Sequence, residues 1–133
     1  MPWAPVAAVV VAGIIFTVTD WLFMGILFHE RYMRYPEVWW PGIREKGDKP
    51  AIVYSCALGF VSAAAVVMLC AISGASNLKS ALIVAALAWA AGPLVNTVTN
   101  NLWIKFDPAV TAAHALGYLV RFLVAGAAYA LIV

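Results

Sequence analysis

Four polar side chains interrupt long apolar stretches of the sequence: Asp20, Arg121, Asn96 and Asn100. If these stretches cross a membrane, a central charge costs ~2.5–3.5 kcal/mol on insertion scales, so such groups normally face the protein interior and find partners. Counted along ideal helices, Asp20 lies ~12 Å and Arg121 ~15 Å from the same membrane surface, close enough to meet. The sequence therefore predicts an ion pair between Asp20 and Arg121.

Further polar side chains share helical faces with this pair. His114 and Tyr118 precede Arg121 at i, i+4, i+7 spacing, and Asn96 and Asn100 lie one turn apart. We expect a polar intramembrane cluster in which the ion pair is braced by its neighbours: Thr17, Asn96, Asn100 and Tyr118, with His114 on the same stripe. One interpretation is structural, because mispaired helices would leave a bare charge in lipid. The other is a polar pocket that binds or moves a substrate.

A proline interrupts the third apolar stretch at Gly92-Pro93. Proline removes one backbone hydrogen bond and clashes with the carbonyl one turn earlier, here that of Trp89. The sequence therefore predicts a helix kink at Pro93.

Catalytic patterns are missing from the sequence. It contains no Ser-His-Asp set, no glycine-rich phosphate loop and no paired carboxylates, and the stretch that begins His29-Glu30 lacks the second histidine of a zinc metalloprotease motif. We therefore expect no enzyme activity, no catalytic residues, no metal site and no cofactor.

The amino-acid composition indicates whether these side chains lie in a membrane or in a water-soluble protein. Of 133 residues, 65% are hydrophobic and 11% are charged, with a net charge of +2. A soluble domain carries about 25% charged residues, so this composition excludes a water-soluble globule. It also excludes disorder, which needs polarity, and nucleic-acid binding, which needs a basic patch. The chain is predicted to be an integral membrane protein in contact with the lipid bilayer.

Length limits the number of membrane spans to four. A bilayer core of ~30 Å needs about 20 apolar residues per helix. Four such runs are present, at about 5–28, 51–72, 80–104 and 111–133. Two of the three connections are short, and short connections make antiparallel neighbours. The predicted fold is an all-α integral membrane protein, one four-transmembrane-helix bundle over residues 1–133.

Orientation follows from the lysines and arginines, because acidic residues count little. One side carries six of them, at Arg31, Arg34, Arg44, Lys46, Lys49 and Lys105, and the other carries only Lys79. The sequence predicts a multi-pass protein of the plasma (inner) membrane, with both termini outside and the loop 29–50 in the cytoplasm. The aromatic residues of this loop, Trp39 and Trp40 among them, suit a segment in the headgroup layer.

Two short patterns indicate an internal repeat. Thr17-Val18-Thr19-Asp20 in the first span resembles Thr97-Val98-Thr99-Asn100 in the third. Ala57-Leu58-Gly59-Phe60 in the second resembles Ala115-Leu116-Gly117-Tyr118 in the fourth. Because both matches occur in the same order, we expect two repeated helical hairpins, with coincidence in an Ala-, Leu- and Val-rich chain as the alternative.

The first and third spans also carry a family likeness. Trp21 and Phe28 near the end of the first span, Asn100-Asn101-Leu102 in the third and the segment 114–118 resemble a small bacterial family of four-span membrane proteins. That family is known only as a domain of unknown function. The resemblance implies a four-span fold and supplies no activity.

Two functions remain open on these observations. The first is a non-enzymatic small integral membrane protein, either a homo-oligomer or an accessory subunit of a larger membrane complex. The alternative is a small transporter or channel, with its polar site in the cytoplasmic half of the membrane.

Overall fold

The helices of the chain follow the apolar runs of the sequence closely. The computed structural model describes residues 1–133, apart from the side chain of Arg44. The α-helices are α1 (Ala4–Asp20), α2 (His29–Tyr32), α3 (Pro41–Lys46), α4 (Lys49–Ile72), α5 (Leu78–Trp89), α6 (Val95–Trp103) and α7 (Pro108–Ile132). Two π-helical segments, Trp21–Leu27 and Ala90–Leu94, continue α1 and α5, and a 3-10 turn covers Pro36–Val38.

Four of the resulting helices are long and apolar enough to cross a membrane. They span Ala4–Leu27, Lys49–Ile72, Leu78–Trp103 and Pro108–Ile132, and are called spans 1 to 4 below. The predicted all-α four-helix membrane fold is confirmed. We call the side with residues 28–50 and 104–107 the loop end, and the side with both termini and residues 73–77 the terminal end.

Local capping explains where spans 3 and 4 begin. Asn77 and Ser80 form a reciprocal capping box, in which the Asn77 side chain accepts from the Ser80 backbone N–H at 3.0 Å. Asp107 caps α7 by accepting from the Ala109 N–H at 2.8 Å, and Pro108 occupies the first helical position. Each short connection therefore ends in a residue whose side chain satisfies one free amide of the next helix.

The fourth span occupies the centre of the bundle. Helix α7 packs against α1, α4 and α5, and α1 also packs against α4. The buried core at the terminal end is built mainly of alanines, with Phe16, Val66 and Cys70 as its largest fully buried side chains. Since lipid supplies no hydrophobic drive between helices, small residues stabilise the bundle by letting backbones approach closely.

Gly126 marks a close approach between α5 and α7. A Cβ placed on it would lie 2.9 Å from the Ala81 carbonyl oxygen and 3.1 Å from Ala85 Cβ. Gly13 is similarly close to the ring of Phe60 on α4. The bundle therefore depends on glycine at contacts where even one methyl group does not fit.

Span 3 changes its helix type at the proline. The π-helical segment Ala90–Leu94 contains Pro93, at the position where the sequence predicts a kink. Wider π turns accommodate a residue that cannot donate its amide. The Trp89 ring N–H donates to the Ala115 carbonyl at 2.8 Å, which ties this segment to α7. Thr97 Oγ1 donates to the Pro93 carbonyl and satisfies it from within the helix.

The two predicted hairpins are not equivalent in their contacts. Gly59 and Gly117, which the repeat aligns, both face span 1, next to Phe16 and Phe23 respectively. A symmetric repeat would place Gly117 against span 3. The internal repeat stays a prediction from the sequence.

Candidate functional site: a polar stack inside the bundle

An ion pair joins spans 1 and 4 inside the bundle. Arg121 Nη2 donates to Asp20 Oδ1, the contact that the sequence predicts. Asp20 is the last residue of α1, and Arg121 lies in the middle of α7. The Arg121 side chain is 8% exposed, and that of Asp20 retains 26%. Because the guanidinium is removed from solvent, the carboxylate is the group that neutralises its charge.

Tyr118 braces this pair with its ring rather than its hydroxyl. The Arg121 Cζ atom lies 4.5 Å from the centre of the Tyr118 ring, a cation–π arrangement. The His114 ring stacks on Tyr118 at 6.3 Å between ring centres. The i, i+4, i+7 stripe of α7 therefore forms one continuous column of rings that ends at the guanidinium.

Tyr32 extends this column to the loop end. Its hydroxyl forms a hydrogen bond with His114 Nε2, and the two rings meet edge to face at 5.3 Å. Burial, and secondarily the neighbouring Tyr118, raise the pKa of Tyr32 well above its usual value near 10. The hydroxyl therefore keeps its proton and can donate to the imidazole. We call Tyr32, His114, Tyr118, Arg121 and Asp20 the polar stack.

The loop residues 29–40 dock on the start of α7 through Asp107. This carboxylate is 3% exposed and accepts from Arg34 Nη1 at 2.8 Å and Arg31 Nη1 at 3.5 Å. The Arg34 hydrogen bond, then that of the Ala109 N–H, lowers the pKa of Asp107 below its usual range. Asp107 thus holds the docked loop (residues 29–40) and caps α7 with the same carboxylate.

A second ion pair supports the docked loop from the adjoining connection. Lys105 Nζ lies 3.2 Å from Glu37 Oε1 and 4.6 Å from the centre of the Tyr35 ring. Both charged side chains are more than half exposed, so the pair contributes little by itself. Its effect is to order the loop beside Asp107.

The two tryptophans of the loop have different environments. Trp39 is half-buried, and its ring N–H donates to the Tyr32 carbonyl at 3.2 Å, so it packs within the docked loop. Trp40 is 79% exposed and is free to enter a headgroup layer. The interfacial location of Trp39 and Trp40 stays a prediction from the sequence.

Three residues that the sequence predicts to brace the ion pair take other positions. Thr17 Oγ1 donates to the Gly13 carbonyl at 3.1 Å, as a hydroxyl in an apolar helix commonly does. Asn96 and Asn100 are exposed. Their neighbour Asn101 turns inward instead and accepts from Thr111 Oγ1 at 2.7 Å. The sequence places these three beside the ion pair, but Thr17 is satisfied within its own helix. The contact of α6 with α7 through Asn101 turns Asn96 and Asn100 outward.

Sequence reasoning missed the two residues that connect the loop to the bundle, Tyr32 and Asp107. The signal for Asp107 is the Asp107-Pro108 pair, a typical helix start whose acid is the only one in its connection. The signal for Tyr32 is weaker, because nothing near it in sequence indicates a partner 82 residues away.

The bundle and its buried charged centre define a multi-pass all-α membrane protein. The chain belongs to the family described as Protein of unknown function (DUF1761), which matches residues 7–130. The resemblance to a family of unknown function is confirmed. No curated protein and no solved structure matches the chain.

Proposed function

We propose that this protein is a non-enzymatic integral membrane subunit that works in an assembly, as a homo-oligomer or as an accessory subunit of a larger membrane complex. The observation that carries the proposal is the exposure of Asn96 and Asn100 on the apolar third span. Amides in hydrocarbon need hydrogen-bond partners, and lipid tails provide none. An isolated chain would leave these groups unsatisfied, whereas an assembled one can pair them.

In this proposal the Asp20–Arg121 pair has a structural role. It joins the first and fourth spans through two residues that are 101 positions apart in sequence. A wrong register or helix order would leave a charge in lipid, so the pair favours one arrangement of the four helices.

We further propose that the protein lies in the plasma (inner) membrane with both termini outside. Five lysines and arginines of the loop 29–50, together with Lys105, are concentrated at the loop end. The positive-inside rule then places the loop in the cytoplasm. Single cysteines at exposed positions of each end, labelled with a membrane-impermeant maleimide in intact cells, test the orientation.

The mass of the purified full chain in detergent tests the assembly. Light scattering corrected for detergent is expected to give the mass of two or more chains of 14.3 kDa, or of one chain together with other proteins. A monodisperse monomer that retains its helical circular dichroism would overturn the proposal.

The second candidate function is a small transporter or channel, favoured by one observation at the ion pair. The Nε atom of buried Arg121 has no hydrogen-bond partner, and Asp20 keeps 26% of its side chain exposed. A polar substrate could bind these unused groups. The variant Asp20→Asn separates the candidates: loss of folding supports the structural role, and a folded protein that no longer moves solute across vesicles supports transport.

A further inference from the structure

The third span leaves a polar face exposed in its loop-end half. Asn96, Thr99 and Asn100 follow the i, i+3, i+4 spacing of one helix face, and all three are exposed. Trp103, one turn further, is 85% exposed. Both asparagine side chains therefore point away from the bundle that this chain builds.

A contact with α7 fixes the rotation of α6 about its axis, and this rotation determines which side chains of α6 are exposed. Asn101 Oδ1 accepts from Thr111 Oγ1 of α7 at 2.7 Å. Each residue of an α-helix turns by about 100°, and Asn101 at the α7 contact therefore directs Asn96 and Asn100 away from it. The amide face (Asn96, Thr99 and Asn100) is a defined outer surface.

Depth makes the exposure costly. Asn96 lies seven residues before the end of span 3 at Trp103, or ~10 Å along the helix. At that depth hydrocarbon surrounds an outward side chain, and an amide loses its hydrogen bonds to water without replacement. Something other than lipid must cover the face at Asn96 for that amide to be satisfied.

We propose that a second copy of this chain covers the amide face, so that the protein is a parallel homodimer with the two third spans side by side. This inference rests on the proposed assembly and names its partner. An amide carries a partial positive NH₂ group and a partial negative carbonyl oxygen, so its charge distribution complements that of an identical amide. A two-fold axis along the membrane normal brings Asn96 opposite Asn96 of the second copy.

The absence of formal charge along span 3 from Ser80 onward also favours a second copy of the chain as the partner. From Ser80 to Ile104 the chain carries no formal charge, so two copies approach along span 3 without repulsion. Hydrogen bonds between helices in lipid each contribute modestly, and two symmetry-related pairs reinforce one another.

Disulfide cross-linking in native membranes tests the interface. The background is the full chain with Cys56→Ala and Cys70→Ala, which removes both native thiols. Asn96→Cys and Asn100→Cys are expected to form covalent dimers under mild oxidation. The matched control is Val98→Cys, which is 47% exposed on the same helix but about 160–200° away, and it is expected to remain monomeric on denaturing gels. Equal or stronger cross-linking at Val98 would overturn the proposal, as would no cross-linking at all.

A second measurement distinguishes whether the protein is an oligomer from where its interface lies. The double variant Asn96→Leu, Asn100→Leu is expected to weaken dimerisation about tenfold or more, whereas Val98→Leu leaves it unchanged. An oligomer that is unaffected by the double variant overturns this inference and leaves the proposed assembly intact. A monomeric wild-type chain overturns both.

Discussion

The Asp107 carboxylate accepts a 2.8 Å hydrogen bond from Arg34, 73 residues earlier in the chain, while its other oxygen caps the fourth span through the Ala109 N–H. The loop between spans 1 and 2 is thereby attached to the start of the central helix. The polar stack begins directly below this attachment, since Tyr32 of the same loop contacts His114.

Replacing Asp107 by Asn is expected to release the docked loop. The amide keeps a carbonyl oxygen for the Ala109 N–H but loses the charge that holds Arg34 and Arg31. Limited proteolysis of the loop 29–50 should become faster, with the four spans still helical by circular dichroism. Lys105→Met, which removes the exposed pair with Glu37, is the control and should change proteolysis much less. Equal protection of wild type and Asp107→Asn would contradict this role for Asp107.

The lowered pKa of Asp107 predicts that the stability of the folded protein falls in acid. Because its folded-state pKa lies below its ordinary value near 3.8, ionised Asp107 stabilises the folded protein above that value. The contribution falls as the pH drops below 3.8 through the lower folded-state pKa. Melting temperatures of wild type and Asp107→Asn in detergent should therefore differ at pH 6 and converge toward pH 3. A difference that stays constant over this range would contradict the assignment.

Asp20→Asn is expected to destabilise the bundle by about 2–4 kcal/mol. Removing one partner of a wholly buried pair costs about 3–5 kcal/mol, and the partial exposure of Asp20 reduces this figure. The measurement is unfolding by a denaturing detergent, followed by circular dichroism. Removing both charges with Asp20→Leu and Arg121→Met should recover stability, because no unpaired cation remains. A single variant as stable as wild type would show that the pair does not fix the bundle.

Tyr32→Phe is expected to lower the stability by about 1 kcal/mol, the usual contribution of one hydrogen bond. The ring and its contact with His114 remain, so the change isolates the hydroxyl. Tyr54→Phe is the matched control, because Tyr54 is 72% exposed on span 2, and its effect should stay within about 0.5 kcal/mol. The same unfolding assay compares both variants, and equal effects would argue against the Tyr32–His114 bond.

Gly126→Ala is expected to destabilise the protein by about 1–3 kcal/mol, since the added methyl group meets the Ala81 carbonyl at 2.9 Å. The helices α5 and α7 must separate to admit it. Gly92→Ala is the control, because a Cβ there meets nothing within 4 Å. If both alanine variants melt at the same temperature, the close approach of α5 and α7 is not what limits stability.

Residue counting along the sequence was sufficient for the membrane fold and for the central ion pair. Four apolar runs of about 20 residues each match the length of a helix that crosses the bilayer. A helix satisfies every backbone group within the span, so four membrane helices are expected. Depth also follows from counting, at a fixed rise per residue. Asp20 and Arg121 were therefore paired correctly from their distances to the membrane surface.

Rotation about each helix axis and the contacts of the long loop were decided only by the tertiary structure. The π-helical segment at 90–94 changes the phase of every later residue of span 3, and the packing of α6 on α7 then turns Asn101 inward. Asn96 and Asn100 consequently face outward instead of toward the ion pair. Tyr32 and Asp107 find partners more than 70 residues away, and such contacts depend on where the folded helices bring the loop rather than on any local pattern.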